Sequence, residues 1–213
     1  MTWTYGGGAR VYDALSGERL VYRRGRIAGI DLLELREGDT VLDVGCGTGL
    51  NFPMLADAVG PTGRVIGLDR SFAMLHMAER RITSNHWSNV TTVHADATDF
   101  SPPDVGVGHV DAVIATYSLS VIREWPTAWE CMTAILRPGG RAGIVDMQLP
   151  TGRAALLAPL ARLACAIGGS DIHAHPWTAL RASGHQYSEV TLRGGHIVAA
   201  AATFPNWRSS RDV

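Results

Sequence analysis

The 213-residue chain contains no lysine; all nineteen of its lysine-or-arginine positions are arginine. That absence excludes a Schiff-base lysine, a phosphate-loop lysine and a kinase-type lysine. The gap itself reads as codon bias. Cysteine is scarce: Cys46, Cys131 and Cys165 are an odd, scattered set. They fit reduced thiols better than a disulfide framework or a zinc site, and no metal is expected. Surplus charge is also lacking. A net charge of −1 gives no global field that would attract nucleic acid. No apolar run approaches the ~18 residues of a transmembrane helix. The stretch Met1–Gly8 has no basic segment followed by an apolar core, so it does not read as a signal peptide. The expected location is cytoplasmic.

What is present fits one globular domain over residues 1–213, with 46% hydrophobic and 18% charged residues. Residues 19–35 read as a helix, with Arg19, Arg23 and Arg26 on one face. Thr40–Val44, Arg64–Leu68, Val90–His94, Val110–Thr116 and Arg141–Met147 read as short apolar strands. Helices are expected between them at 50–58, at 72–82 behind a Ser71 cap, and at 124–136. Such alternation builds a parallel sheet. Tyr187–Arg193, Gly194-Gly195 and His196–Phe204 read instead as an antiparallel hairpin. Residues 153–167 are apolar almost all round, with Pro159 inside. They are expected to form a buried cap helix or a pocket wall, with membrane contact the remaining alternative.

The chemistry-bearing residues fall at strand ends, where open parallel sheets bind ligands. Val41–Gly49 runs a strand into glycines at 45, 47 and 49, with Asp43 two residues upstream. The dinucleotide fingerprint is G-x-G-x-x-G. This chain has G-x-G-x-G, and a carboxylate there would repel a pyrophosphate but attract an ammonium. The loop therefore suits an amino-acid-bearing nucleoside. Asp69 can accept from both hydroxyls of a ribose; the competing role, a helix cap, is already supplied by Ser71. Asp96 can accept from an exocyclic amine, with the Ala97 N–H donating to a ring nitrogen. Phe72 and Met74 could pack on a base, though a core role suits Met74 nearly as well.

These motifs have a family. Val41–Gly49, Val65–Asp69, His94–Ala97, Val110–Leu119 and Leu136–Val145, including Leu136-Arg137-Pro138-Gly139-Gly140, resemble the successive motifs of class I S-adenosylmethionine-dependent methyltransferases. The resemblance covers roughly residues 20–147 and extends to the terminal hairpin. It implies an α/β, Rossmann-like, seven-stranded sheet of order 3-2-1-4-5-7-6, with helices on both faces. It implies S-adenosylmethionine as cofactor. By position, Gly45, Gly47 and Gly49 would line its methionine part, Asp69 its ribose, Asp96 and Ala97 its adenine, and Thr116 would offer a carbonyl to its ammonium. Asp43, Asn51, Arg70, Met74 and Tyr12 complete the expected cofactor set. Tyr12-Asp13, the arginine-rich first helix, Gly49-Leu50-Asn51 and Tyr117–Val121 are similar to bacterial phospholipid N-methyltransferases and their quinone-methylating relatives. The chain departs from the quinone enzymes in lacking their full N-terminal signature.

The expected activity is methyl transfer to a small-molecule or lipid-borne acceptor, with an amine as the leading choice. The alternatives are O- or C-methylation of a quinone, phenol or natural product, an oxidoreductase with a variant glycine loop, and a non-catalytic cofactor-binding protein. An amine needs only to arrive unprotonated, whereas a phenol or carbon acid needs a base. Candidate catalytic residues are Tyr117, just past the fourth strand, and His173 and His175. Residues 1–37 are expected to act as a helical lid and 148–185 as the substrate-side cap.

Overall fold

The computed structural model describes residues 22–205. The ordered elements are α1 (Arg23–Leu32), β1 (Thr40–Val44), α2 (Phe52–Val59), β2 (Arg64–Asp69), α3 (Phe72–Asn85), β3 (Val90–His94), α4 (Pro102–Val105), β4 (Val110–Thr116), α5 (Trp125–Ala134), β5 (Leu136–Met147), α6 (Ala158–Gly168), α7 (Thr178–Ser183), β6 (His185–Leu192) and β7 (Ile197–Phe204). One sheet holds all seven strands in the order β3-β2-β1-β4-β5-β7-β6. The first five run parallel, and β7 pairs antiparallel with both β5 and β6. The expected topology is thereby met.

Both faces of the sheet are covered, which explains the continuous apolar strands. Val41, Val65, Ala112 and Ile114 pack in one core cluster with Phe52 and Leu55 of α2 and with Ile30 of α1. The alternate residues Leu42, Val44, Ile66, Leu68, Val113 and Ala115 pack in the other, with Trp129 and Met132 of α5 and with Leu180 of α7. This is the period of two expected of strands, with each phase buried on its own side. The Phe52 ring lies over the backbone of β2: a Cβ at Gly67 would stand 2.4 Å from its Cζ.

Of the differences from the sequence reading, three matter here. α3 runs to Asn85, because His86 supplies a left-handed cap with φ 56°. α5 stops at Ala134, and Leu136 already pairs with Val110, so Arg137-Pro138-Gly139-Gly140 bulges out of β5 before pairing resumes at Arg141–Ala112. The third difference is larger. Residues 152–168 are not a buried cap. A 3₁₀ segment, Gly152–Leu157, leads into α6, of which only Ala161 and Cys165 are buried.

Candidate functional site

The end of β1 and the end of β4 lie side by side, and a buried polar cluster forms between them. Asp43 is wholly buried within β1. Its Oδ1 accepts from Asn51 Nδ2 at 2.9 Å. The same amide nitrogen donates to Thr116 Oγ1 at 2.9 Å. Arg26, reaching in from α1, donates through Nη1 to Asn51 Oδ1 at 3.1 Å and to Thr116 Oγ1 at 2.6 Å. Asn51 is thus fully engaged as a strut between the carboxylate and the guanidinium. Asp43 Oδ2 has no hydrogen-bond partner. Burial raises the Asp43 carboxyl to about 7, against the lowering pull of the Asn51 hydrogen bond and the Arg26 charge. A buried acceptor left empty costs stability unless something fills it.

The glycine turn stands next to this cluster. Gly45 takes φ 70°, and a Cβ there would meet Ser118 Cβ at 2.5 Å. Ser118 in turn donates to Val44 O at 2.8 Å, closing the turn against the end of β4. Gly47, at φ 55°, has nothing within 4 Å of its would-be Cβ, so its backbone faces open space. Asp69 ends β2 and holds this turn: Oδ2 accepts from Gly47 N at 2.9 Å and Oδ1 from Ser71 N at 2.8 Å. Each oxygen keeps a second lone pair. Ser71 caps α3 by accepting from Met74 N at 3.4 Å, as the sequence implied.

At the end of β3, Asp96 is exposed, and its Oδ1 accepts from Thr98 N at 2.9 Å and Thr98 Oγ1 at 2.7 Å. Those bonds hold its carboxyl below the usual range. Ala97 beside it is buried in the core. Phe72 stacks on His94 with centroids 3.6 Å apart, and His94 Nε2 lies 3.0 Å from Arg70 O. Arg70 itself is exposed and Met74 half-buried. The Phe72–His94 stack thus stands at the end of β3, two residues before Asp96 in the chain.

Tyr117 follows β4 with φ 56°, a strained conformation for an aromatic residue. Its hydroxyl donates to Tyr22 O at 2.9 Å, its ring meets the Tyr22 ring edge-on at 4.9 Å, and the Arg26 guanidinium lies 5.1 Å from its centroid. Close packing against α1 makes room for this: a Cβ at Gly25 would stand 2.0 Å from the Tyr117 hydroxyl. Gly25 carried no signal in the sequence reading. Arg26 did, but only as one of several helix arginines; Arg23 and Arg24 are exposed, while Arg26 alone of the three turns inward.

His173 and His175 do not join this cluster. The His173 backbone N–H donates to Asp171 Oδ1 at 2.9 Å, and the His175 ring tilts against Trp177 at 5.0 Å. Neither imidazole makes a hydrogen bond or ring contact with Asp43, Asn51, Thr116 or Tyr117. Tyr12 lies outside the described residues. Among the described residues no group of His, Cys, Asp and Glu could hold a metal ion.

The arrangement fits a ligand that carries an ammonium for the Asp43 Oδ2, a diol for Asp69 and a flat ring for the end of β3. Residues 41–140 match a family described as a methyltransferase domain. A 2-phytyl-1,4-naphtoquinone methyltransferase from Synechococcus elongatus is 33% identical over 147 residues, covering 67% of this chain and 61% of that relative. A demethylmenaquinone methyltransferase from a Geobacillus species is 32% identical over 119 residues, covering 56% of this chain and 50% of the relative. The chain thus spans about half to three-fifths of the length of these curated relatives. A SAM-dependent methyltransferase from Aquifex aeolicus superposes with a TM-score of 0.69 at 19% identity, covering 92% of this chain and 98% of that one, which shows the shared fold. The chain is therefore similar to methyltransferase domains over residues 41–140 and has the fold of an S-adenosylmethionine-dependent methyltransferase.

Proposed function

We propose that this chain uses S-adenosylmethionine to methylate a ring carbon of a reduced quinone or a closely related aromatic acceptor. The cofactor half of the reading rests on one observation: a buried carboxylate oxygen without a partner, Asp43 Oδ2, on the strand that runs into the glycine turn. Asp43 takes the cofactor ammonium, Asp69 the ribose hydroxyls, and Asp96 with the Ala97 N–H the adenine edge. Asn51, itself held by Thr116, positions Asp43, and Arg26 balances its charge.

The acceptor half rests on the curated relatives, which are named for quinones and not for amines. The amine expected from the sequence yields to that reading. Tyr22, Tyr117, Met147 and Leu149 pack in one apolar cluster past the ends of β4 and β5, surroundings that suit a ring better than a charged amine.

Bound S-adenosylmethionine supplies an electrophilic methyl whose departing sulfur needs no acid. The protein's contribution is alignment, which can supply about 7–11 kcal/mol. The Tyr117 hydroxyl is committed to the Tyr22 carbonyl, so this residue orients α1 and the acceptor's ring more than it moves a proton. In the balanced reaction the carbon–methyl bond forms, the sulfur–methyl bond breaks, and the displaced ring proton passes to solvent. Solvent water is then the base that this acceptor needs, since neither His173 nor His175 contacts the polar cluster.

Methyl-labelled cofactor, supplied with a short-chain, water-soluble naphthoquinol under reducing conditions or with an ethanolamine-type amine, separates the readings. The label is expected on a ring carbon of the quinol. Label on the amine alone would restore the amine reading, and label on the quinol oxygen would make the enzyme an O-methyltransferase. Retained S-adenosylhomocysteine binding with no transfer to either acceptor would favour a non-catalytic binding role.

A further inference from the structure

The exposed face of residues 152–168 carries a second message. Five of the eight large apolar side chains exposed among the described residues fall in a twelve-residue stretch: Leu156, Leu157, Leu160, Leu163 and Ile167. Leu156 is 89% exposed and Ile167 75%. Three of them, 160, 163 and 167, share one face of α6 by helical spacing, and Leu156 and Leu157 end the 3₁₀ segment before it. The buried positions, Ala161 and Cys165, point the opposite way, onto Met147 and Ile172, with Tyr22, Tyr117 and Leu149 against the same cluster. The helix therefore rests its small residues on the acceptor side of the site and turns its large ones outward. That is the reverse of a helix built to fill a core.

We propose that this face lies in the surface of a lipid bilayer containing anionic lipid, and that it brings the acceptor side of the site to the membrane. The inference rests on the quinone reading, because a quinone with a long isoprenoid tail resides in lipid and not in water. Charge complementarity selects the partner. From Met147 through Ser170 the only charged residues are Arg153 and Arg162, both exposed, and there is no acid in that stretch. Leucine-rich helices flanked by arginine bind in the plane of an anionic interface. Among the described residues no helix is long and apolar enough to cross a membrane, so contact would be peripheral. A second protein copy fits less well: a stable interface draws on roughly 20–30 residues a side, far more than this short patch offers.

The test is co-sedimentation of the full chain with phosphatidylcholine vesicles, with and without about one-third phosphatidylglycerol, at low and high salt. The chain is expected to bind the anionic vesicles, and more weakly at high salt. Leu156→Ser/Leu160→Ser/Leu163→Ser should bind at least tenfold more weakly, and Arg153→Gln/Arg162→Gln should lose the preference for anionic lipid. Both variants should keep the S-adenosylhomocysteine thermal shift and methylate the short-chain naphthoquinol as the unaltered chain does. Three results would overturn the proposal: no vesicle binding, vesicle binding only after removal of residues 1–21, or a dimer in light scattering that the serine variant abolishes. Failure of the quinone reading shows separately, as loss of transfer to the soluble quinol with vesicle binding intact.

Discussion

Two carboxylates, Asp43 at the end of β1 and Asp146 at the end of β5, are equally buried yet built for opposite purposes. Asp146 is saturated. Its Oδ1 accepts from Ser120 Oγ at 2.7 Å and Met147 N at 2.9 Å, and its Oδ2 accepts from Ser120 N at 3.0 Å. Asp43 has one filled oxygen and one empty one. Burial raises both, Asp146 to about 6 and Asp43 to about 7. The pKa alone would not tell them apart; the empty lone pairs do. Asp146 fastens the turn after β4 to β5, and through Ser120 O it holds the loop that starts at Asp171. On the proposed reading, the unpaired Asp43 Oδ2 is the acceptor for the cofactor ammonium.

The largest expected effect breaks the comparison from the structural side. Asp146→Ala strips three donors of their acceptor and should destabilise the apo protein by about 2–4 kcal/mol in urea unfolding, since each buried group left unpaired costs of order 1–3 kcal/mol. Asp43→Asn keeps an acceptor for Asn51 while removing a charge that burial disfavours. It should leave apo stability unchanged or higher above pH 7. The sign follows from linkage. An acid raised from 3.8 to about 7 holds a proton in the native state that the unfolded chain releases, so its contribution falls as pH rises from about 4 to 7. Wild type should lose that stability over this range, and the asparagine variant should lose less.

A smaller effect is expected one residue beyond β4. Tyr117→Phe removes the hydroxyl bond to Tyr22 O but keeps the ring contacts with Tyr22 and Arg26. The loss should be about three- to tenfold in kcat/KM for the acceptor, with little change in S-adenosylhomocysteine affinity, read by steady-state kinetics and titration. The smallest is expected at the histidines: His173→Ala and His175→Ala should each change kcat less than about threefold, because neither ring reaches the polar cluster.

The sheet was legible because each strand is a short apolar run between turn signals, and the C-terminal hairpin advertised itself through Gly194-Gly195. The glycine turn, Asp43 and Asp69 were legible because they stand at strand ends at a spacing that the fold brings together, with Asp69 Oδ2 accepting from Gly47 N. Asp146 was not: nothing in Gly143-Ile144-Val145-Asp146 separates a strand-end acid that closes a turn from one that binds. Gly25 was silent because its role is the space it leaves for Tyr117 in three dimensions. Residues 153–167 misled for a different reason. An all-round apolar pattern gives no phase, so the sequence could not say which side faced the protein; the small side chains Ala161 and Cys165 won the contact with Met147 and Ile172, and the leucines were left outside.

The central claim, that Asp43 Oδ2 receives the cofactor ammonium, is tested most directly by calorimetric titration of S-adenosylhomocysteine at pH 6 and pH 8. A cation selects the ionised carboxylate, so with a carboxyl near 7 in the free protein the affinity should rise about tenfold between those values. Asp43→Asn should bind weakly and without that pH dependence. Equal affinity at both pH values in the unaltered chain, or an Asp43→Asn variant that binds as tightly as the unaltered chain, would contradict the account.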